Sequence, residues 1–420
     1  MPDAPMPHPA TFSARSYEWR LHSAEDAIEQ QLATEVARAS VRGVSGGAKR
    51  AFVIASPSIA SKTTTIDRIA DTLGTRYAGA FVGIEVDSTY QSVAAATAAA
   101  REAGADLLIA VGGGSVVVAT RVVDVFLCED GDPFELMTQY PAGKPAVSPR
   151  LMAPKLPIIN IPTTPTSAMN RAGSGLANPD LDQRMEYFDP KTRPIAIFWD
   201  WQALRATPLE VLRSTATTTF AGAVSSAAAP EANPLVEGDR AQILRLAQRA
   251  YPRLTVEPEA IQPRIDLCAA ALLQNRSADD GGSGGIGTRD EVFGGDYAIS
   301  TALHVLYPHV GQGESSSVLQ ATVARRAPAP ALDAARRVAQ LLEVWRDGMS
   351  ASDAALAAAD AIEATYRAAG MPVRVRDLDL PREDFPRIAE ATLKNFNANQ
   401  GLRSADERRQ ASIDLLEAAW

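Results

Sequence analysis

Between Ala105 and Ser115 the chain reads ADLLIAVGGGS, an apolar run that passes without a spacer into three glycines and a hydroxyl. Asp106 to Val111 has the length of a buried strand, and Val116 to Val125 continues as a helix. Glycines permit φ > 0 and let bare backbone N–H groups approach a phosphate, while the helix behind them points its positive end at the same place. Gly112, Gly113, Gly114 and Ser115 are therefore candidates for holding a nucleotide pyrophosphate. The alternative for such a turn is tight strand–helix packing.

The surrounding order narrows the fold. Strands are expected at Ala51–Ser56, Gly79–Ile84, Asp106–Val111, Leu156–Ile161 and Ile195–Trp199, separated by amphipathic or alanine-rich stretches such as Ser61–Leu73 and Tyr90–Gly104. Alternation of this kind predicts a doubly wound, mainly parallel sheet whose ligands sit beyond the carboxyl ends of the strands. After Pro208 the strand-like runs nearly vanish, and helices are expected at 240–251, 263–274, 331–347, 352–369 and 387–397. The expected architecture is an α/β N-terminal domain, residues 1–207, that binds a dinucleotide, and an all-α C-terminal domain, residues 208–420, that holds substrate and catalytic groups. At 420 residues, two domains sharing a cleft are the default. The glycine-rich stretch Ala278–Gly295 is expected to be a mobile surface loop or a lid, and the proline-rich opening dozen residues are expected to be disordered.

Composition excludes other classes of protein. The net charge of −9 disfavours nucleic acid as a partner, and no apolar run reaches the roughly 18 residues that a membrane span needs. The N-terminus has no apolar segment of the signal-peptide kind, so a cytoplasmic protein is expected. Cys128 and Cys268 lie too far apart for a dithiol or zinc motif and are expected to be inert thiols.

From Ala55-Ser56-Pro57, through GADLLIAVGGGS and LPIINIPTTPTS, to a helical half with a late histidine segment, the order of motifs resembles the iron-containing alcohol dehydrogenase superfamily, of dehydroquinate synthase-like fold. Within it the likeness is greatest to the maleylacetate reductase branch. The resemblance covers roughly residues 45 to 320 and is strongest up to Pro162-Thr163-Thr164. It implies NAD or NADP at the glycine turn, Thr163 and Thr164 in the nucleotide pocket, a helical domain that handles the proton, and a homodimer. Arg184 stands where the family has a lysine, and Ser56-Pro57 where it has an aspartate. Without that acid to repel a 2′-phosphate, NADP is admitted, with Lys62 a candidate for the positive charge; the alternative for Ser56 is a helix cap.

The pattern departs most at the metal. The family holds a divalent ion with one aspartate and three histidines, whereas this chain has only four histidines, of which His8 and His22 lie outside the resemblance. Residues 219–226, TFAGAVSS, contain neither an aspartate nor a histidine. Ser225 falls in that segment, Ser300 on a later family histidine, and Gln312-Gly313 on the histidine-glycine pair, so no metal is expected. A relocated site would have to use Asp296, Glu314 or His309. Val118 and Arg121 likewise replace an aspartate and a lysine beyond the turn, and Thr166-Ser167-Ala168-Met169 replaces a serine-glutamate pair.

His304 is then the candidate proton relay, with His309 as substitute and Tyr297 or Tyr307 as further donors; imidazole titrates near neutrality. Ser225, Ser300 or Gln312 would polarise a carbonyl in place of the metal. The expected activity is metal-independent, NAD(P)-dependent hydride transfer between nicotinamide and an alcohol or carbonyl. The substrate is expected to be a small molecule or a peptide end in natural-product tailoring, for example a C-terminal threonine that is oxidised and decarboxylated. A reductase of a small keto acid and a nucleotide-binding protein without turnover are the alternatives.

Overall fold

The computed structural model describes residues 14, 17–41, 43, 45–141, 144, 146–229, 233–282, 297–326, 332–395 and 404–420. In chain order the elements are β1 (Arg20–Ala24), α1 (Ala27–Arg38), β2 (Ala51–Ala55), α2 (Pro57–Lys62), α3 (Thr65–Leu73), β3 (Tyr77–Phe81), α4 (Tyr90–Glu102), β4 (Leu107–Gly112), α5 (Gly114–Cys128), α6 (Pro133–Leu136), β5 (Ile158–Pro162), β6 (Gly173–Leu176), β7 (Met185–Phe188), β8 (Ala196–Asp200) and α7 (Trp201–Arg205). Helices follow: α8 (Leu209–Ala228), α9 (Pro234–Ala250), α10 (Arg253–Val256), α11 (Ile261–Asp279), α12 (Tyr297–Leu306), α13 (Gln312–Arg326), α14 (Leu332–Leu341), α15 (Ala351–Ala368), α16 (Phe385–Thr392) and α17 (Ala405–Ala419). Two compact units result, one of Glu18–Leu212 with Pro258–Ile265, the other of Arg213–Glu257 with Asp266–Trp420. The break thus falls inside α8, against one expected after residue 207.

In the first unit six strands form a sheet in the order β1-β8-β5-β4-β2-β3, every pair parallel. Alternate residues feed opposite faces. Phe52, Ile54, Leu108, Ala110 and Ile158 pack with Val93 of α4 and Val116 and Val117 of α5. Val53, Ala55, Ile109, Val111 and Ile161 pack with Ile28 and Leu32 of α1 and Ile69 of α3. Burial on both faces explains why β2, β4 and β5 read as continuous apolar runs.

β1 was not expected, because RLHSA is a polar, half-exposed edge. Its His22 is structural, and together with Arg20 it holds the buried Glu35 carboxylate, at 3.0 and 2.6 Å. The helix expected over Ser61–Leu73 is two helices. Thr63 Oγ1 donates to Ile59 O at 2.7 Å and accepts from Thr65 N, local bonds that compete with continuing the helix. A hairpin, β6–β7, also lies outside the expected pattern; glycines and polar residues hide its alternation. In the second unit α14 stops at Leu341, short of the expected 347, just before Glu343 takes φ 62°.

The helical unit has a core around Leu303, Val318, Leu319, Phe385 and Ile388. Glu363 of α15 is clamped by Arg325 at 2.6 Å, Arg367 at 2.8 Å and Arg374 at 3.2 Å. Burial acts to raise its pKa, but hydrogen bonds from these arginines dominate and hold the carboxyl down at about 2. A depressed folded-state pKa contributes stability above the ordinary value of about 4.5, lost as pH falls toward 2. Melting temperatures of wild type and Glu363→Gln should therefore differ at pH 7, wild type higher, and converge between pH 4.5 and 2. A gap independent of pH would contradict this. Among the described residues no helix is long and apolar enough to cross a membrane.

Candidate functional site

The sheet order sets where a ligand can sit. From β2 the chain places β3 on one side and β4 on the other, so the direction of winding reverses between β2 and β4, and a crevice opens at their carboxyl ends. Ala55 pairs with Val111, and Gly112 with Pro162, so Ser56, the glycine turn and Thr163 follow in a row across three neighbouring strands. The sequence motifs therefore converge at one edge of the unit.

The turn is built for close approach. Gly112 takes φ 154°, and a Cβ there would lie 2.7 Å from Val116 Cγ2. A Cβ on Gly114 would meet Thr166 Oγ1 at 3.0 Å. Gly113 is the N-cap of α5 and offers no side chain, so no N-cap group takes up the first N–H groups of this 15-residue helix. Thr163 N donates to Gly112 O at 3.0 Å, fixing the threonine loop against the turn, and Thr207 Oγ1 holds Thr163 O at 2.7 Å. Thr164 Oγ1 is buried without a hydrogen-bond partner, on the side where a Cβ of Gly113 would point, 3.4 Å away. An orphaned hydroxyl and an uncapped helix start are what a nucleotide phosphate would satisfy, so the residues present fit this cofactor.

Ser115 also supports a neighbouring turn. Its Oγ accepts Asp87 N at 3.1 Å and its carbonyl accepts Ser88 Oγ at 2.6 Å, anchoring a turn in which both Asp87 and Ser88 have positive φ. Asp87 is of a residue type that tolerates that conformation, the sequence signal for this support. Ser56 is the N-cap of α2, yet its hydroxyl meets Ser58 Oγ at 3.0 Å and makes no capping bond. Lys62 ends α2, exposed. Arg184 lies beside the β6–β7 hairpin, its stem against Gly175, where a Cβ would be 3.0 Å from Arg184 Cδ.

In the helical unit Ser300 and Gln312, two of the positions singled out in the sequence, join a run of neutral groups that bond to one another. Ser315 and Ser316 donate to Gln312 O at 3.0 and 2.8 Å, and Ser300 Oγ lies 2.9 and 3.1 Å from their hydroxyls. Each hydroxyl has one proton, and with those of Ser315 and Ser316 given to Gln312 O, that of Ser300 points into this ladder. Gln312 begins α13, half-buried. Ser225 is reached by Gln320 Nε2 at 3.5 Å, the same amide that donates to Ala221 O at 2.8 Å. Hydroxyls and an amide do not fit a catalytic iron or zinc. Among the described residues no three His, Cys, Asp or Glu side chains converge to hold a metal. Of the relocated candidates, Glu314 accepts from Ser214 Oγ at 2.7 Å and His309 bonds to Leu378 O at 3.0 Å; Asp296 and the stretch 283–295 lie outside the described residues.

His304 lies one helical turn beyond Ser300, buried, with Nδ1 2.8 Å from Val310 O. A carbonyl only accepts, so Nδ1 carries the proton of this bond. His309 is exposed, edge-on to Tyr307. Tyr307 keeps its proton and donates it to Asp384 at 2.6 Å; burial and that hydrogen bond raise its pKa. Cys268 is buried, and burial pushes the Cys128 thiol up to about 12, in line with inert thiols.

The family model for iron-containing alcohol dehydrogenases matches residues 29–201, and the model for the C-terminal part of the same family matches 215–420. The chain belongs to the iron-containing alcohol dehydrogenase family and is an alcohol/aldehyde oxidoreductase of that class. It is 25% identical over 373 residues to a 1,3-propanediol dehydrogenase of Klebsiella pneumoniae, covering 87% of this chain and 91% of that one. To a maleylacetate reductase of Burkholderia cepacia it is 24% identical over 360 residues, 83% of this chain and 84% of the other. The fold matches NADH-dependent butanol dehydrogenase A of Thermotoga maritima with a TM-score of 0.79 at 17% identity, over 98% of both chains.

Proposed function

We propose that the protein transfers hydride between a nicotinamide nucleotide and an alcohol or carbonyl, with no metal at the reaction centre. The observation that carries this is the hydroxyl ladder of Ser300, Ser315, Ser316 and Gln312 O, in which Ser300 and Gln312 fall on family histidines in the sequence resemblance, in a chain whose phosphate turn is intact. When bound, the nicotinamide supplies or accepts the hydride. Gly112 to Ser115 bind the pyrophosphate through backbone N–H groups, Thr163 and Thr164 line the same pocket, and Ser56 leaves room for either NAD or NADP. Val310 O orients His304, whose Nε2 takes the proton of the alcohol in oxidation or returns it in reduction.

Without a Lewis acid, the favoured substrate is one that is easily oxidised or reduced. A β-hydroxy acid qualifies, because its keto product loses CO2 and draws the oxidation forward. A C-terminal threonine of a ribosomal peptide has this chemistry, and we place the protein in natural-product tailoring on that ground. The likeness to maleylacetate reductase favours a second reading, reduction of a small keto acid.

Turnover of chelator-treated protein on alcohols, keto acids and threonine-ended peptides tests both. The expected rate is unchanged by chelation and by added iron or zinc. A rate that disappears on chelation and returns with one equivalent of metal would falsify the proposal, and nucleotide binding with no turnover on any substrate would favour a non-catalytic role.

A further inference from the structure

Between β3 and α4 two consecutive residues other than glycine lie in the left-handed region, Asp87 at φ 62° and Ser88 at φ 54°. Aspartate is several-fold enriched there; serine is not. Such backbone persists only where its surroundings over-determine it, and it concentrates at functional sites. Capping of α4 does not demand it, because the N-cap is Thr89, at φ −60°, whose own side chain accepts from Ser92 N at 3.3 Å. The turn is fixed instead by the start of α5. Ser88, 1% exposed, donates from Oγ to Ser115 O at 2.6 Å, and Asp87 N donates to Ser115 Oγ at 3.1 Å. On its other side the turn holds the residue after β6: Ala177 N donates to Asp87 O at 3.2 Å, and Tyr90 N to Ala177 O at 2.9 Å.

The Ser88 bond reaches the phosphate turn through one peptide plane. Val117 N donates to Gly113 O at 3.2 Å, the first bond of α5, so the N–H groups of Gly114, Ser115 and Val116 precede it and have no helical acceptor. Ser115 C=O and Val116 N–H belong to the same planar trans unit and point in opposite directions, so a hydroxyl that holds the carbonyl also aims the N–H. We propose that Ser88 is a positioning residue for the nucleotide: through Ser115 O it holds the Val116 N–H toward the pyrophosphate, and the left-handed backbone at 87 and 88 is what brings its hydroxyl there. The role rests on the reading of Gly112 to Ser115 as a nucleotide site. It adds to that site a residue that itself touches no ligand and lies on a separate segment, 27 residues earlier in the chain.

The test compares Ser88→Ala and Ser88→Gly with wild type in the full chain, by titration with NADH, NADPH and ADP-ribose and by thermal melting without ligand. Both variants lose the hydroxyl, but glycine also relieves the left-handed backbone, so Ser88→Gly should melt above Ser88→Ala and remains usable if the alanine variant does not fold. The affinity of both variants for the nucleotide that wild type binds should nevertheless fall about 5-fold, the worth of one hydrogen bond. ADP-ribose, which keeps the pyrophosphate and lacks the nicotinamide, should lose the same factor. Affinity that follows melting temperature, with Ser88→Gly binding like wild type, would reduce the hydroxyl to a stabilising contact and overturn the proposal. So would a loss confined to the complete dinucleotides, or affinities in both variants within 2-fold of wild type. Failure of wild type itself to bind any of the three ligands would instead overturn the nucleotide reading, and this role with it.

Discussion

Replacing Gly113 with aspartate lowers the affinity for NADH and NADPH on the order of 100-fold while leaving the melting temperature at or above that of wild type. The loss follows from a carboxylate placed where the helix start receives the pyrophosphate, since like charges brought together cost several kcal/mol. The retained stability follows from the backbone. Gly113 has φ −75°, open to any residue, and a Cβ there would meet Thr164 only at ordinary contact distances of 3.4 and 3.7 Å. Aspartate is also a favourable N-cap. The combination separates a binding role from tight packing: if the turn were packing alone, nucleotide affinity would stay within a few-fold of wild type. Fluorescence titration with each nucleotide, alongside a melting curve, decides the matter.

His304→Ala should lower kcat on the order of 100-fold, the usual contribution of a positioned acid–base group, with the dissociation constant for NADH unchanged. The competing role is structural, because the ring is buried and its Nδ1 satisfies Val310 O. Loss of that bond alone would lower the melting temperature and leave kcat within tenfold of wild type. His309→Ala should have little effect, since that ring is exposed and its Nε2 bonds to the Leu378 carbonyl.

The α/β sheet was legible because burial on both faces forces continuous apolar strands, and because glycine and threonine at strand ends are chemically conspicuous. Ser56, Gly112 and Thr163 share a row because of sheet order, which residue spacing does not report. β1 escaped notice because an edge strand with one open face can be polar. The fate of Ser300 was also hidden. Its substitution for a histidine is visible in the sequence, but the commitment of its proton depends on Ser315 and Ser316, fifteen and sixteen residues away on the next helix. Arg121 reads as a conservative replacement of lysine until its burial and its unpartnered Nη1 and Nη2 are known.

The claim that nucleotide chemistry here is independent of a metal is tested most directly by titrating metal-stripped protein with NADH and NADPH, following nicotinamide fluorescence and assaying metal in the same sample. The account predicts saturable binding of at least one nucleotide at one site per chain with metal far below stoichiometric. Binding that appears only when a full equivalent of iron or zinc is restored would contradict it.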